Sequence, residues 1–180
     1  TSKVINLSDV FGDSDQTNKF VTRYLQSTHC DLFFADAAIL VEGVAESMLL
    51  PHFIRSKFPE LYQRYITILG VNGRHAHRLS PLIEKLCLPT LVITDLDPAE
   101  KEGYHKSVVP KRGEGQISGN YAIAKWLMKE KDIDKLVDYS EDKKQFSFAS
   151  PYRFSIRLAY QTPVKVDFEG EEKEAIPGTF

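Results

Sequence analysis

Four carboxylates, Glu42, Glu46, Asp95 and Asp97, are spaced so that they can do chemistry together. Ala38-Ile39-Leu40-Val41 ends on Glu42-Gly43, and Leu91-Val92-Ile93-Thr94 ends on Asp95-Leu96-Asp97. Each apolar run reads as a buried strand tipped with acid. In an open α/β sheet the carboxyl ends of the strands form the ligand-binding edge. Convergent carboxylates without matching bases suit a divalent cation. Glu46 follows Glu42 by four residues and falls in the first turn of the next helix, where it points back over the same rim and suits the helix dipole. Gly43 lets the backbone turn sharply or a substrate approach. Asp95 and Asp97 share a face if the strand continues through both, and line a loop if it ends at Asp95. Such a set holds one ion firmly and recruits a second with substrate. Two ions roughly 3.5–4 Å apart clamp the attacking and leaving oxygens of a phosphodiester.

Blander readings compete. A Glu-Gly pair after a strand is common. Asp-x-Asp also serves haloacid-dehalogenase-like phosphatases, as nucleophile and acid, and some glycosyltransferases. Asp97 also suits a turn with Pro98. The two motifs together, one crossover unit apart, favour a metal site.

The elements that must position these acids follow from periodicity. Residues 3–10 read as a short edge strand. A helix is expected from about Thr17 to Ala35, with Phe20, Val21, Tyr24, Leu25, Leu32 and Phe33 near 3.6-residue spacing. Strand 37–42 leads to helix 43–57, where Pro51 predicts a kink or break. Strand 65–71 closes on Asn72-Gly73, a turn pair. Helix 79–87, strand 90–96, helix 119–130 and a short helix near 132–138 follow. Residues 153–160 alternate as a half-exposed strand. Glu169 to Glu174 reads as a solvated acidic loop, and 98–118 as a long functional or disordered loop. Strands alternating with helices predict right-handed crossovers and a mostly parallel sheet.

The bulk properties fit one domain. The chain has 180 residues, 42% hydrophobic and 27% charged, with a formal net charge of −2. That balance argues against a strong nonspecific polyanion binder, although a local basic patch or bound metal offsets it. Cys30 and Cys87 have no CxxC neighbour and read as buried thiols in a reducing, cytoplasmic setting. No run approaches a membrane span, and no signal peptide is visible. The start at Thr1 and the end at Phe180 read as those of a fragment.

A strand ending in Glu-Gly followed by one ending in Asp-x-Asp resembles the signature of a Toprim domain. The string from Asp31 to Glu46, with Val41-Glu42-Gly43-Val44-Ala45-Glu46 at its end, resembles the OLD (overcoming lysogenization defect) family of ATP-dependent nucleases more specifically. Ala159-Tyr160-Gln161-Thr162-Pro163 and Pro177-Gly178-Thr179-Phe180 are also similar to OLD-type sequence. The resemblance covers nearly the whole chain. It implies a Rossmann-like α/β fold with an N-terminal strand and helix in 1–36 and a Toprim domain in 37–180 that is truncated at its C-terminus. It implies Glu42, Glu46, Asp95 and Asp97 as ligands of Mg²⁺ or Mn²⁺, with Glu42 and Asp95 catalytic. Ser118-Gly119-Asn120 would shape the same site. It also implies an upstream ABC-type ATPase domain as the only place for ATP, since no Gly-x-x-x-x-Gly-Lys-Ser/Thr loop occurs here, and a further Glu and Lys beyond Phe180.

Other residues carry weaker signals. Lys106, Lys111 and Arg112 are candidates for tracking a DNA backbone, against an ordinary solvated loop. Arg153 and Arg157 favour plain surface solvation. His75 and His77 form a His-x-His pair, better explained as loop or helix-start residues than as transition-metal ligands. Trp126 reads as core, and Lys165 as a cation near the rim. The leading function is a metal-dependent DNA endonuclease or nickase. The alternatives are a phosphatase using Asp95 and Asp97, and a non-catalytic module that docks DNA or forms a homodimer.

Overall fold

The computed structural model describes residues 30–71, 75–101, 107–149, 152–168 and 170–177. The expected strand 3–10, most of the helix ending at Ala35, the Asn72-Gly73 turn, Lys106 and the three C-terminal residues lie outside them.

The rim acids sit on a five-stranded sheet of order β2-β1-β3-β7-β6. Its strands are β1 (Ala37–Val41), β2 (Ile66–Gly70), β3 (Thr90–Ile93), β6 (Gln145–Phe148) and β7 (Phe154–Ala159). β1 pairs in parallel with β2 and β3, and β3 pairs in parallel with β7; only the edge strand β6 runs antiparallel. The mostly parallel α/β expectation is therefore met. The chain leaves β1 to one side for β2 and returns to the other side for β3, so strand order reverses between β1 and β3. Loops at such a switch point diverge and open a crevice at the strand ends.

The helices return the chain between strands. α1 (Val44–Lys57) and α2 (Pro59–Tyr62) connect β1 to β2, and a 3₁₀ turn (Ala76–Leu79) with α3 (Ser80–Leu86) connects β2 to β3. Helix α1 continues through Pro51, so of the expected kink or break the break does not occur. The loss of one backbone donor there does not end it. The main core lies on the face covered by α3, where Leu40, Leu69, Leu82, Ile83, Val92, Ile156 and Leu158 are fully buried. The other face is thinner: Ile39, Val41 and Ile54 form a small cluster. In α1 only Ile54 is buried, and Met48 is 73% exposed.

Beyond β3 the chain builds smaller pieces. β4 (Pro98–Ala99) pairs antiparallel with β5 (Ile117–Ser118) across the long loop. The helix expected over 119–130 is a shorter π-helix, Ala122–Leu127, and α4 (Ile133–Asp138) follows with Asp132 capping its N-terminus. Trp126 is partly buried as expected for a core-facing side, with Nε1 donating to Glu84 at 2.9 Å. Residues 154–159 do alternate in burial.

Two further expectations need correction. The acidic stretch expected as a loop forms β9 (Glu171–Ala175), paired antiparallel with β8 (Val164–Phe168). Gly170, at φ +82°, makes the turn. Cross-strand charge, such as Lys165 with Glu172 at 3.3 Å, takes the place of the apolar alternation that usually marks a strand. Lys165 is thus an exposed ribbon residue. Cys30 is exposed on a 3₁₀ turn (Cys30–Phe33) rather than buried, because Leu32 takes the inward position; Cys87 is partly buried, and both are free thiols. Among the described residues no helix is long and apolar enough to cross a membrane.

Candidate active site

β1 and β3 end side by side, which brings Glu42 next to the Asp95–Asp97 loop. β3 stops at Ile93, so both aspartates line a loop rather than share a strand face. Asp97 adopts the left-handed region at φ +46°, a conformation Asp tolerates better than most residues. This turn redirects the chain before Pro98.

Asn120 ties the two strand ends together. Its side chain is fully buried. Its amide nitrogen donates to Glu42 Oε1 at 2.7 Å, Asp97 Oδ2 at 3.0 Å and Thr94 Oγ1 at 2.8 Å. Its Oδ1 accepts from the Ala122 backbone N–H at 3.0 Å. Ser118 Oγ in turn accepts from the Asn120 N–H at 3.2 Å, and the Gly119 N–H donates to the Asp97 carbonyl at 2.8 Å. The Ser118-Gly119-Asn120 turn therefore shapes the acid rim.

Two partners escaped the sequence reading. The Thr94 hydroxyl donates to Glu42 Oε1. Gln161, just past β7, donates from Nε2 to Asp95 Oδ1 and accepts from the Leu96 N–H at 2.7 Å. Both lay inside strings already singled out, but nothing in a linear pattern says which loop a Thr or Gln will meet.

The electrostatics are those of crowded like charges. Burial chiefly raises the Glu42 pKa; hydrogen bonds from Thr94 and Asn120 oppose this, and the Asp97 and Asp95 charges add to it. Asp95 is raised first by burial, then by Asp97 and Glu46, against its Gln161 bond. Glu46 Oε2 is buried with no hydrogen-bond partner, an exception to the usual pairing of buried polar atoms. It lies against Gly43, where an added Cβ would stand 2.5 Å from it. A Gly43→Ala change should therefore swing the Glu46 carboxylate off the rim. Because a flexible side-chain end can move, the melting temperature should change little. Should the rim take a divalent cation, as proposed below, its affinity measured by calorimetry should fall by about 10-fold or more.

Other candidates are placed elsewhere or already engaged. Lys111 pairs with Glu114 at 3.4 Å, and Arg112 with Asp138 at 2.6 Å and Glu174 at 3.1 Å. Arg157 pairs with Glu141 at 2.8 Å, while Arg153 is exposed. His75 precedes the 3₁₀ turn after β2, and His77 within it packs edge-on against Tyr121. As their side chains stand, no three carboxylate, imidazole or thiolate groups among the described residues are gathered closely enough to hold a metal ion.

A mostly parallel sheet with Glu42 at one strand end and Asp95 and Asp97 beside the next defines the Toprim class of α/β fold. The family model for the Overcoming lysogenization defect protein-like TOPRIM domain matches residues 33–97, a stretch containing all four rim acids. That part of the chain belongs to the OLD-like Toprim family. Endonuclease GajA of Bacillus cereus (strain HuB5-5) is 32% identical over 118 residues, covering 66% of this chain but 17% of that protein. The chain thus spans a minor part of that relative's length. No solved structure matches.

Proposed function

We propose that the chain is the nuclease module of a longer protein, cleaving DNA phosphodiesters with a divalent cation held at the β1–β3 rim. The observation that carries this reading is Glu46 Oε2, a buried carboxylate oxygen without a partner, set beside three more acids. Two of these, Glu42 and Asp95, are held above their ordinary pKa by burial and neighbouring charge. A cation would relieve both strains at once. The donor set is all hard carboxylate oxygen, which suits Mg²⁺ or Mn²⁺. Glu42, Glu46, Asp95 and Asp97 are the ligands in this reading, after small side-chain rotations, and substrate brings a second ion.

The bound metal supplies Lewis-acid stabilisation of charge on the phosphate and a more acidic water. The chain's own groups do the rest. Asn120 and Thr94 orient Glu42, which is placed to take or give a proton. Gln161 fixes Asp95 against the β3 loop. The similarity to an endonuclease favours this over the phosphatase alternative. ATP enters only through an ATPase domain elsewhere in the longer protein, and the cytoplasm is the compartment this reading assigns.

Full-length protein with supercoiled plasmid and Mn²⁺ should give nicked circles, and excess EDTA should stop the reaction. No nicking under those conditions would sink the reading. Independently of activity, saturating Mn²⁺ should stabilise the fold. At 100 times its Kd a ligand contributes about 2.7 kcal/mol, which raises Tm by roughly 5–10 °C in a domain of this size. A flat Tm in differential scanning calorimetry would count equally against it.

A further inference from the structure

Four carboxylates on one rim repel a polyanion, so a DNA strand needs cations beside them to arrive at all. The cations of the long loop are poorly placed for this, because Lys111 and Arg112 already face Glu114, Asp138 and Glu174.

A second basic surface adjoins the rim. Tyr121 directly follows Asn120 and is 43% exposed. The Lys125 ammonium sits over its ring, 4.1 Å from the centroid. His77, from the turn after β2, packs edge-on against the same ring at 5.2 Å. A cavity of about 230 Å³ is lined by Pro98, Ser118, Gly119, Tyr121 and Lys131. Ser118 and Gly119, which precede Asn120 in the turn that shapes the acid site, line this cavity as well. Lys125 and Lys131 are exposed, and neither is in an ion pair among the described residues. The neighbouring acids are spent elsewhere. Glu130 accepts from the Lys131 and Asp132 backbone N–H groups and pairs with Lys135, and Asp132 caps α4.

We infer that Tyr121, Lys125 and Lys131 form a shelf that receives the phosphate backbone of a DNA strand leading into the acid rim. Tyr121, braced by His77, holds the Lys125 cation in place, and Lys131 continues the track past the cavity. The inference rests on the nuclease reading for its substrate, but its readout is binding rather than cleavage.

The test uses full-length protein in EDTA and fluorescence anisotropy with a labelled duplex over a range of salt. Lys125→Glu with Lys131→Glu should weaken binding by at least about tenfold and make the log–log salt slope shallower by about 2, one for each lost phosphate contact. Lys125→Gln with Lys131→Gln should show the same slope change if charge reversal disturbs folding. Tyr121→Ala should weaken binding about two- to fivefold, while Tyr121→Phe keeps it. Lys57→Ala with Lys85→Ala should change nothing, because α1 and α3 run back from the rim and end at the far edge of the sheet. Unchanged affinity and slope in both Lys125/Lys131 pairs, with wild type nicking in Mn²⁺, would overturn the shelf and leave the nuclease reading standing. Loss of binding in the pairs, with wild type never nicking, would support the shelf and remove the nuclease.

Discussion

Asp95→Ala should abolish plasmid nicking while leaving the fold at least as stable as before. Under the proposed function Asp95 is a metal ligand. Losing the several kcal/mol that a well-held cation contributes to transition-state charge stabilisation corresponds to roughly a 10³-fold drop in rate, at about 1.4 kcal/mol per decade. Stability should move the other way. Burial, Asp97 and Glu46 raise the Asp95 pKa in the folded protein, so its ionised form is the disfavoured one. A raised carboxyl stabilises the fold below its unfolded pKa, and that contribution is lost as pH rises through the folded value. At neutral pH Asp95 therefore opposes folding, and alanine removes the opposition. Gln161 loses one acceptor but keeps its bond from the Leu96 N–H. In EDTA, Tm of the variant should equal or exceed that of wild type, and Mn²⁺ should raise it less. A variant that unfolds early, or one that nicks at the wild-type rate, would contradict the assignment. This opposition between activity and stability is what a site built from like charges must show.

Asn120→Asp should damage both stability and activity. The side chain keeps its size and its acceptor for the Ala122 N–H. It replaces a donor with an acceptor at 2.7 Å from Glu42 and 3.0 Å from Asp97. A buried charge left uncompensated costs about 3–5 kcal/mol, or roughly 10 °C or more in Tm at this chain length. The aspartate can escape by staying protonated and donating as the amide did, so its folded pKa must be raised. Its contribution is then intact below the unfolded pKa and lost as pH rises. The Tm gap from wild type should be small near pH 4 and widen toward pH 7. Asn120→Leu separates the two effects: it adds no charge but takes away the bond that favours ionised Glu42, so its Tm deficit should also widen with pH, less steeply than that of the aspartate. Both variants release Glu42 and Asp97, and nicking should fall about 100-fold. A pH-independent gap for the aspartate would show that Asn120 does not face the acids.

The acids themselves were readable because each obeys a local rule. An apolar run that stops on a carboxylate places that carboxylate at a strand end, and the first turn of a helix places Glu46 near it. The adjacency of the two runs was not readable: chain order allows β1-β2-β3 as well as the observed β2-β1-β3. Elements that depend on a partner were not readable. β9 carries acids in place of alternating apolar residues and exists because β8 pairs with it. The helix after Asn120 is a short π-helix, Ala122–Leu127, where the residue pattern had pointed to a longer helix over 119–130.

By itself, then, the sequence determined the alternation of strands and helices, the parallel character of the sheet and the four acids at its rim. These depend on periodicity and chain order, which are local and additive. Only the tertiary structure decided that Asn120 spans Glu42 and Asp97, that Gln161 clamps the Asp95 loop, that Glu46 presses on Gly43, and that Lys111 and Arg112 are neutralised while Lys125 and Lys131 are not. The bonds of Asn120, Gln161 and Arg112 join residues distant along the chain; Glu46 with Gly43 and Lys111 with Glu114 lie three residues apart, and there the fold decides only where the side chains settle. Hydrogen bonds and ion pairs act only over a few ångströms, so they come into being only once the sheet has brought the strand ends together.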